Sequence, residues 1–153
     1  MVKQIESLKK GRVLLLESIS DLTVGQLNQI PQSLNNNIAW NMGHIIVVQQ
    51  SACYKRADLP ALISDDFQKK FKPGSQPKKA VSDAEIKGIN RLFFTTINQL
   101  EADYSNQVFS NYIPWSTRLG GEVANIDDAI KFLVFHEGLH LDAIMAIARL
   151  MRK

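Results

Sequence analysis

Two of the three histidines in the chain stand four residues apart, in the stretch Phe132-Leu-Val-Phe-His136-Glu-Gly-Leu-His140-Leu-Asp-Ala-Ile144. At ~100° per residue, positions four apart lie one above the other on a helix. Ile130, Leu133, Ile144, Ile147 and Met151 recur around them at spacings of three and four, the period of an amphipathic helix. Asn125 is placed to cap its start, and Asp127 and Asp128 put negative charge in the first turn. Arg149, Arg152 and Lys153 put positive charge at the far end. Residues 126–152 therefore read as one long helix with two imidazoles on its inward face.

The rest of the chain supplies three more helices. Residues 2–20 carry Ile5, Leu8, Leu15, Leu16 and Ile19 at helical spacing, with Lys and Glu on the other faces. Thr23 can cap a short helical turn in the connection that follows. A second helix opens at the polar run Asn35-Asn36-Asn37 and continues to Tyr54; it is apolar over most of its circumference and holds His44, the third histidine. Residues 56–81 are broken by Pro60, Pro73, Gly74 and Pro77 and kept wet by lysines, so they read as a long loop. Ser82-Asp-Ala-Glu85 is a capping box for a third helix, which runs through Ile86, Ile89, Phe93, Ile97, Leu100 and Tyr104. Residues 105–124 read as irregular, and no strand alternation of useful length occurs. The expected fold class is all-α: a single-domain four-helix bundle in which the long crossover between the second and third helices lets those two run parallel.

At 153 residues the chain is one domain's length. A net charge of +3, from 18 basic and 15 acidic residues, argues against nucleic acid as a partner, because no basic face is interleaved with aromatics. The apolar run at residues 13–16 is too short for a secretion signal, and no stretch approaches a membrane span. With a lone cysteine, Cys53, the expectation is a cytoplasmic protein without membrane contact.

Three imidazoles from two core-facing helices are what a bundle needs to hold a metal. His44, His136 and His140 are the candidate ligands; three nitrogens suit zinc, nickel, copper or iron and leave a coordination position open. Such a metal can acidify a bound water or hold a thiol as its thiolate. The same letters satisfy His-Glu-x-x-His, the zinc-protease signature, but only thirteen residues follow His140 and no longer protease pattern is present. In a bundle Glu137 is turned ~100° from His136 and is either a supporting partner of the ligands or a solvated charge. Asn41 shares the side of His44 and either touches substrate or lines the core. Cys53 should face away from the site, and Trp40, Tyr112 and Trp115 read as packing residues. No catalytic residue is assigned.

Asp21-Leu-Thr-Val-Gly-Gln-Leu27, Asn36-Asn-Ile-Ala-Trp40-Asn-Met-Gly-His44 and Phe135-His136-Glu137-Gly-Leu-His140, in that order, resemble the DinB/YfiT-like superfamily, as does Phe71-Lys-Pro-Gly74 before a capped helix. The resemblance implies an up-down-down-up bundle and a three-histidine metal site onto which His44, His136 and His140 map one for one. It also implies zinc or nickel as the divalent metal, and a homodimer. Activities known in the family include S-transfer and isomerisation with small thiols such as bacillithiol or mycothiol, and other members are described as metal-dependent hydrolases. Relatives often follow the second histidine of the last motif with a basic residue and a glycine, where this chain has Leu141 and Asp142. The expected function is thus a thiol-dependent S-transferase acting on small electrophiles. A hydrolase at the same site, and a non-enzymatic helical bundle acting through a protein partner, are the alternatives.

Overall fold

Four long helices carry the chain in a computed structural model that describes residues 1–152. They are α1 (Val2–Ser18), α3 (Ile38–Gln49), α5 (Asp83–Ser105) and α6 (Ile126–Met151), with α2 (Val24–Asn28) and α4 (Asp65–Phe71) as short additions. The only strands among the described residues are β1 (Trp115–Ser116) and β2 (Glu122–Val123), an antiparallel pair with Trp115 opposite Val123. The fold is all-α in class, and no described helix is long and apolar enough to cross a membrane.

The caps legible in the sequence are made. Thr23 and Gln26 form a reciprocal capping box on α2, as Ser82 and Glu85 do on α5. Asn37 accepts from Trp40 N at the start of α3, and Asn125 from Asp128 N at the start of α6. Each satisfies an amide that the first helical turn leaves without a partner. Beyond α3 the chain stays helical but loosens into a π turn at Gln50–Tyr54 and a 3-10 turn at Lys55–Ala57, ending where Asp58 takes φ +55°.

Two segments depart from the expected loops. Residues 56–81 contain α4, capped by Ser64, with Asp65 and Asp66 in its first turn and Lys69 and Lys70 in its last. That charge order complements the helix dipole, and Phe67 and Phe71, one turn apart, pack with their rings tilted against each other. Residues 105–124 contain the β1–β2 pair, closed through a turn where Gly120 takes φ +81°. Two residues per strand are too few to show an alternation.

Every residue of α3 is buried. Around it the core forms two clusters. One gathers Leu15 and Ile19 with Ile38–Val47 of α3, Ile86, Ile89 and Phe93, and Ile144, Ile147 and Ala148. The other gathers Ile5 and Leu8 with Val48 and Cys53, Ile97 and Leu100, and Ala129, Ile130 and Leu133. α1, α5 and α6 each give one half to each cluster, whereas α3 lies mostly in the first and reaches the second through Val48 and the turns that follow it. The fully buried α3 holds His44 inside the bundle, facing His136 and His140 of α6.

Candidate metal centre

His44 on α3 and His136 and His140 on α6 converge, and one ring nitrogen from each lies within 4.8 Å of the others. The ring centroids of the three pairs are 4.5–5.3 Å apart. The helical spacing of four brings His136 and His140 to the same face, and the buried middle of α3 supplies the third ring.

Two of the rings are held by their other nitrogen. His44 Nδ1 lies 2.9 Å from the Phe71 carbonyl, which can only accept, so the proton sits on Nδ1 and the Nε2 lone pair is free. Phe71 ends α4, so the helix missing from the loop reading aims this ligand. Gly43 makes the contact feasible: a Cβ there would fall 2.4–2.6 Å from atoms of the Phe71 ring. Trp40 stacks on the other face of His44, with centroids 4.5 Å apart and planes 13° from parallel.

His140 Nδ1 lies 2.8 Å from Asn41 Oδ1. The amide orientation of Asn41 is set from behind, since its Nδ2 donates to the Asn37 carbonyl at 2.7 Å. Oδ1 must then face His140 and accept, which again leaves Nε2 bare. Asn41 thus orients a histidine from the partner helix. His136 packs against Phe132 with the ring planes tilted by 34°, and its Nδ1 is buried with no hydrogen-bond partner. A buried nitrogen with no donor or acceptor of the chain to satisfy it is costly in a purely structural histidine.

Burial first, then the neighbouring imidazoles, pushes His136 down to about 3; burial, then His44, pushes His140 down to about 4. His44 is lowered by burial as well, opposed by its bond to Phe71. All three are neutral bases near neutral pH, the form that ligates a cation. Two preset Nε2 lone pairs, an unsatisfied third ring and convergence on one point fit a divalent metal with an open position.

Glu137 makes no hydrogen bond to any of these rings. It is turned away from the His136 ring toward α1, is 8% exposed, and accepts from Arg12 with both oxygens. It is neither solvated nor free to act as the base of a His-Glu-x-x-His protease. Cys53 faces away from the histidines, fully buried in the second core cluster, where burial pushes its thiol up.

The histidines form the floor of a cleft of ≈ 580 Å³. Its walls include Arg56, Trp115, Arg118, Phe132, Phe135 and Leu139. Trp115, expected to pack, does so against Phe132 and Tyr112 but also faces the cleft. The two arginines carried no signal in the sequence, because the β1–β2 turn that brings Arg118 over the site could not be read there.

No curated protein sequence matches the chain. The family model described as the DinB superfamily matches residues 7–144, which takes in all three histidines, Asn41, Gly43 and most of every long helix. The motif order seen in the sequence, the helical fold and the extent of that match agree, and the chain belongs to the DinB superfamily.

Proposed function

We propose that the protein is a metal-dependent S-transferase, in which His44, His136 and His140 hold a zinc or nickel ion and a small thiol attacks an electrophile in the cleft above. The observation that carries the reading is the convergence of three neutral imidazoles, two of them fixed by Asn41 Oδ1 and the Phe71 carbonyl with Nε2 free. A divalent ion bound there supplies Lewis acidity, which favours the ionised form of a thiol at neutral pH.

The chain's own contribution is positioning and exclusion of water. Asn41 and the Phe71 carbonyl keep two rings from rotating, and Trp40 fixes the plane of His44. Phe132, Phe135 and Leu139 provide apolar walls that favour a reactant with a carbon body. No carboxylate lines the cleft, and Glu137 is occupied by Arg12, so no side-chain general base faces a water there. That absence from the described lining favours S-transfer over hydrolysis.

The distribution of the core clusters supports an up-down-down-up order. The N-terminal halves of α1 and α6 share one cluster with the C-terminal ends of α3 and α5, as parallel pairs related by a crossover would.

Metal content by plasma mass spectrometry on untagged protein tests the site first, with His44→Ala and His136→Ala beside the wild type. Near-stoichiometric zinc or nickel, absent from both variants, is expected. The reconstituted protein should then consume a model electrophile only when a thiol is present. Thiol-independent ester or amide cleavage would favour the hydrolase, and protein that takes up no metal would favour a bundle acting through a partner.

A further inference from the structure

Arg56 is a half-buried cation without a counter-charge. Its guanidinium lies over the Trp115 ring, 5.4 Å from the centroid, yet its side chain makes no hydrogen bond or ion pair among the described residues. Arg12, buried in the core, is by contrast fully partnered. Arg56 is also held in place. The π and 3-10 turns that extend α3 carry it, and its carbonyl accepts from Ile113 N at 2.6 Å. Tyr112, beside Ile113, donates to the Ala52 carbonyl and accepts from Trp115 Nε1, so the ring under the guanidinium is fixed as well.

Arg56 faces the cleft, and so does Arg118 from the β1–β2 turn. No aspartate or glutamate lines that cleft, so nothing of the chain balances the two charges. Around them the walls are apolar and open to solvent: Leu119, next to Arg118, is 82% exposed, and Leu139 and Phe135 on α6 are 55% and 51% exposed. Large apolar side chains left bare around a concave site mark a binding surface, and a planar guanidinium with free donors matches a carboxylate.

From this juxtaposition we infer that the cleft takes a small carboxylate-bearing amphiphile, its carboxylate paired with Arg56 and Arg118 and its apolar portion laid on Phe135 and Leu139. The inference rests on the cleft being the substrate site and adds the substrate's class. The carboxylate belongs to one of the two reactants, either the thiol or the electrophile.

Isothermal titration of octanoate and its neutral isostere octanamide tests it, on the full chain both metal-free and zinc-loaded. Octanoate should bind metal-free protein about tenfold or more tighter than octanamide, the margin of a charge-assisted pair. Arg56→Gln and Arg118→Gln should each remove most of that margin while leaving octanamide unchanged, with folding checked by circular dichroism. Equal affinity of wild type for the two probes would overturn the proposal even if a variant failed to fold. So would octanoate binding that needs zinc and ignores both substitutions, because the carboxylate would then sit on the metal. Since the metal-free arm needs no ion, a failure to take up metal leaves this test intact. With zinc present, 8-mercaptooctanoate binding tighter than octanoate assigns the carboxylate to the thiol reactant; equal binding assigns it to the electrophile, and both results support the subsite.

Discussion

Arg12 on α1 and Glu137 on α6 form a bidentate ion pair inside the core, with Nη2 2.6 Å from Oε1 and Nε 3.0 Å from Oε2. The same guanidinium donates to the Phe93 carbonyl and Thr96 Oγ1 on α5 and to Gln49 Oε1 on α3. One side chain thereby touches all four long helices. Glu137 immediately follows His136, so the pair also sets the rotation of α6 about its axis, which decides whether the histidines face α3.

Removing one partner should be far worse than removing both. Arg12 is 1% exposed, and Arg12→Met leaves the Glu137 carboxylate buried without its cation. The expected loss is about 3–5 kcal/mol for Arg12→Met or Glu137→Leu alone. The double variant should recover much of that, because apolar replacements of a buried pair are often near neutral. Urea unfolding of the four proteins in a double-mutant cycle reads the coupling. Additive single effects would show that the pair contributes no specific interaction.

The signal for this pair was present in the sequence. Ile5, Leu8, Arg12, Leu15 and Ile19 follow the alternating three-four spacing of a core stripe, and so do Ile130, Leu133, Glu137, Ile144 and Ile147 when the histidine turn is included. Opposite charges on two such stripes predict a buried pair, whereas reading Glu137 only by its angle to His136 hides it. The three histidines, the caps and the four long helices were legible because each is written in local spacing. Phe71, Arg56 and Arg118 were not, because they reach the site through α4, a π turn and a two-residue strand pair, none of which leaves a periodic trace. Asn41 was legible as a neighbour of His44, but its hydrogen bond runs across to His140, a tertiary fact.

Asn41→Ala should weaken metal binding by about 10–100-fold without abolishing it, the usual cost of losing a partner that orients a ligand. His140 keeps its place on α6 but loses the bond that fixes its tautomer. Competition against a fluorescent zinc chelator measures the change. An affinity equal to the wild type's would show that packing alone orients His140.

Gly43 and Gly88 should respond oppositely to alanine. Both lie in helices, where alanine is favoured by about 1 kcal/mol over glycine. At Gly88 a Cβ meets nothing within 4 Å, so Gly88→Ala should stabilise the protein by about that amount. At Gly43 it meets the Phe71 ring at 2.4–2.6 Å, and the ring is packed with Phe67 on α4. Gly43→Ala should therefore displace α4, cost stability despite the propensity gain, and release His44 Nδ1 from the Phe71 carbonyl. Thermal melts give the first two effects, and the chelator competition gives the third. A Gly43→Ala protein as stable as the Gly88→Ala one, with wild-type metal affinity, would remove Phe71 from the account.

Acid should unfold the metal-free protein through the same three rings. Burial holds His136 at about 3 and His140 at about 4 in the fold, below their ordinary value of about 6.5 in the unfolded chain. The folded state thus binds fewer protons than the unfolded state between these limits. Stability is full above pH ~6.5 and falls as the pH drops toward about 4 for His140 and about 3 for His136. His44, also lowered, adds to the slope. Urea midpoints of chelator-treated protein at pH 7.5, 6.0 and 5.0 should decline across that window, and His136→Phe with His140→Phe should flatten the decline. Zinc should raise stability most at pH 7.5 and progressively less on acidification, since protons and metal compete for the same nitrogens. A decline equally steep in the double variant would place the acid sensitivity in other groups.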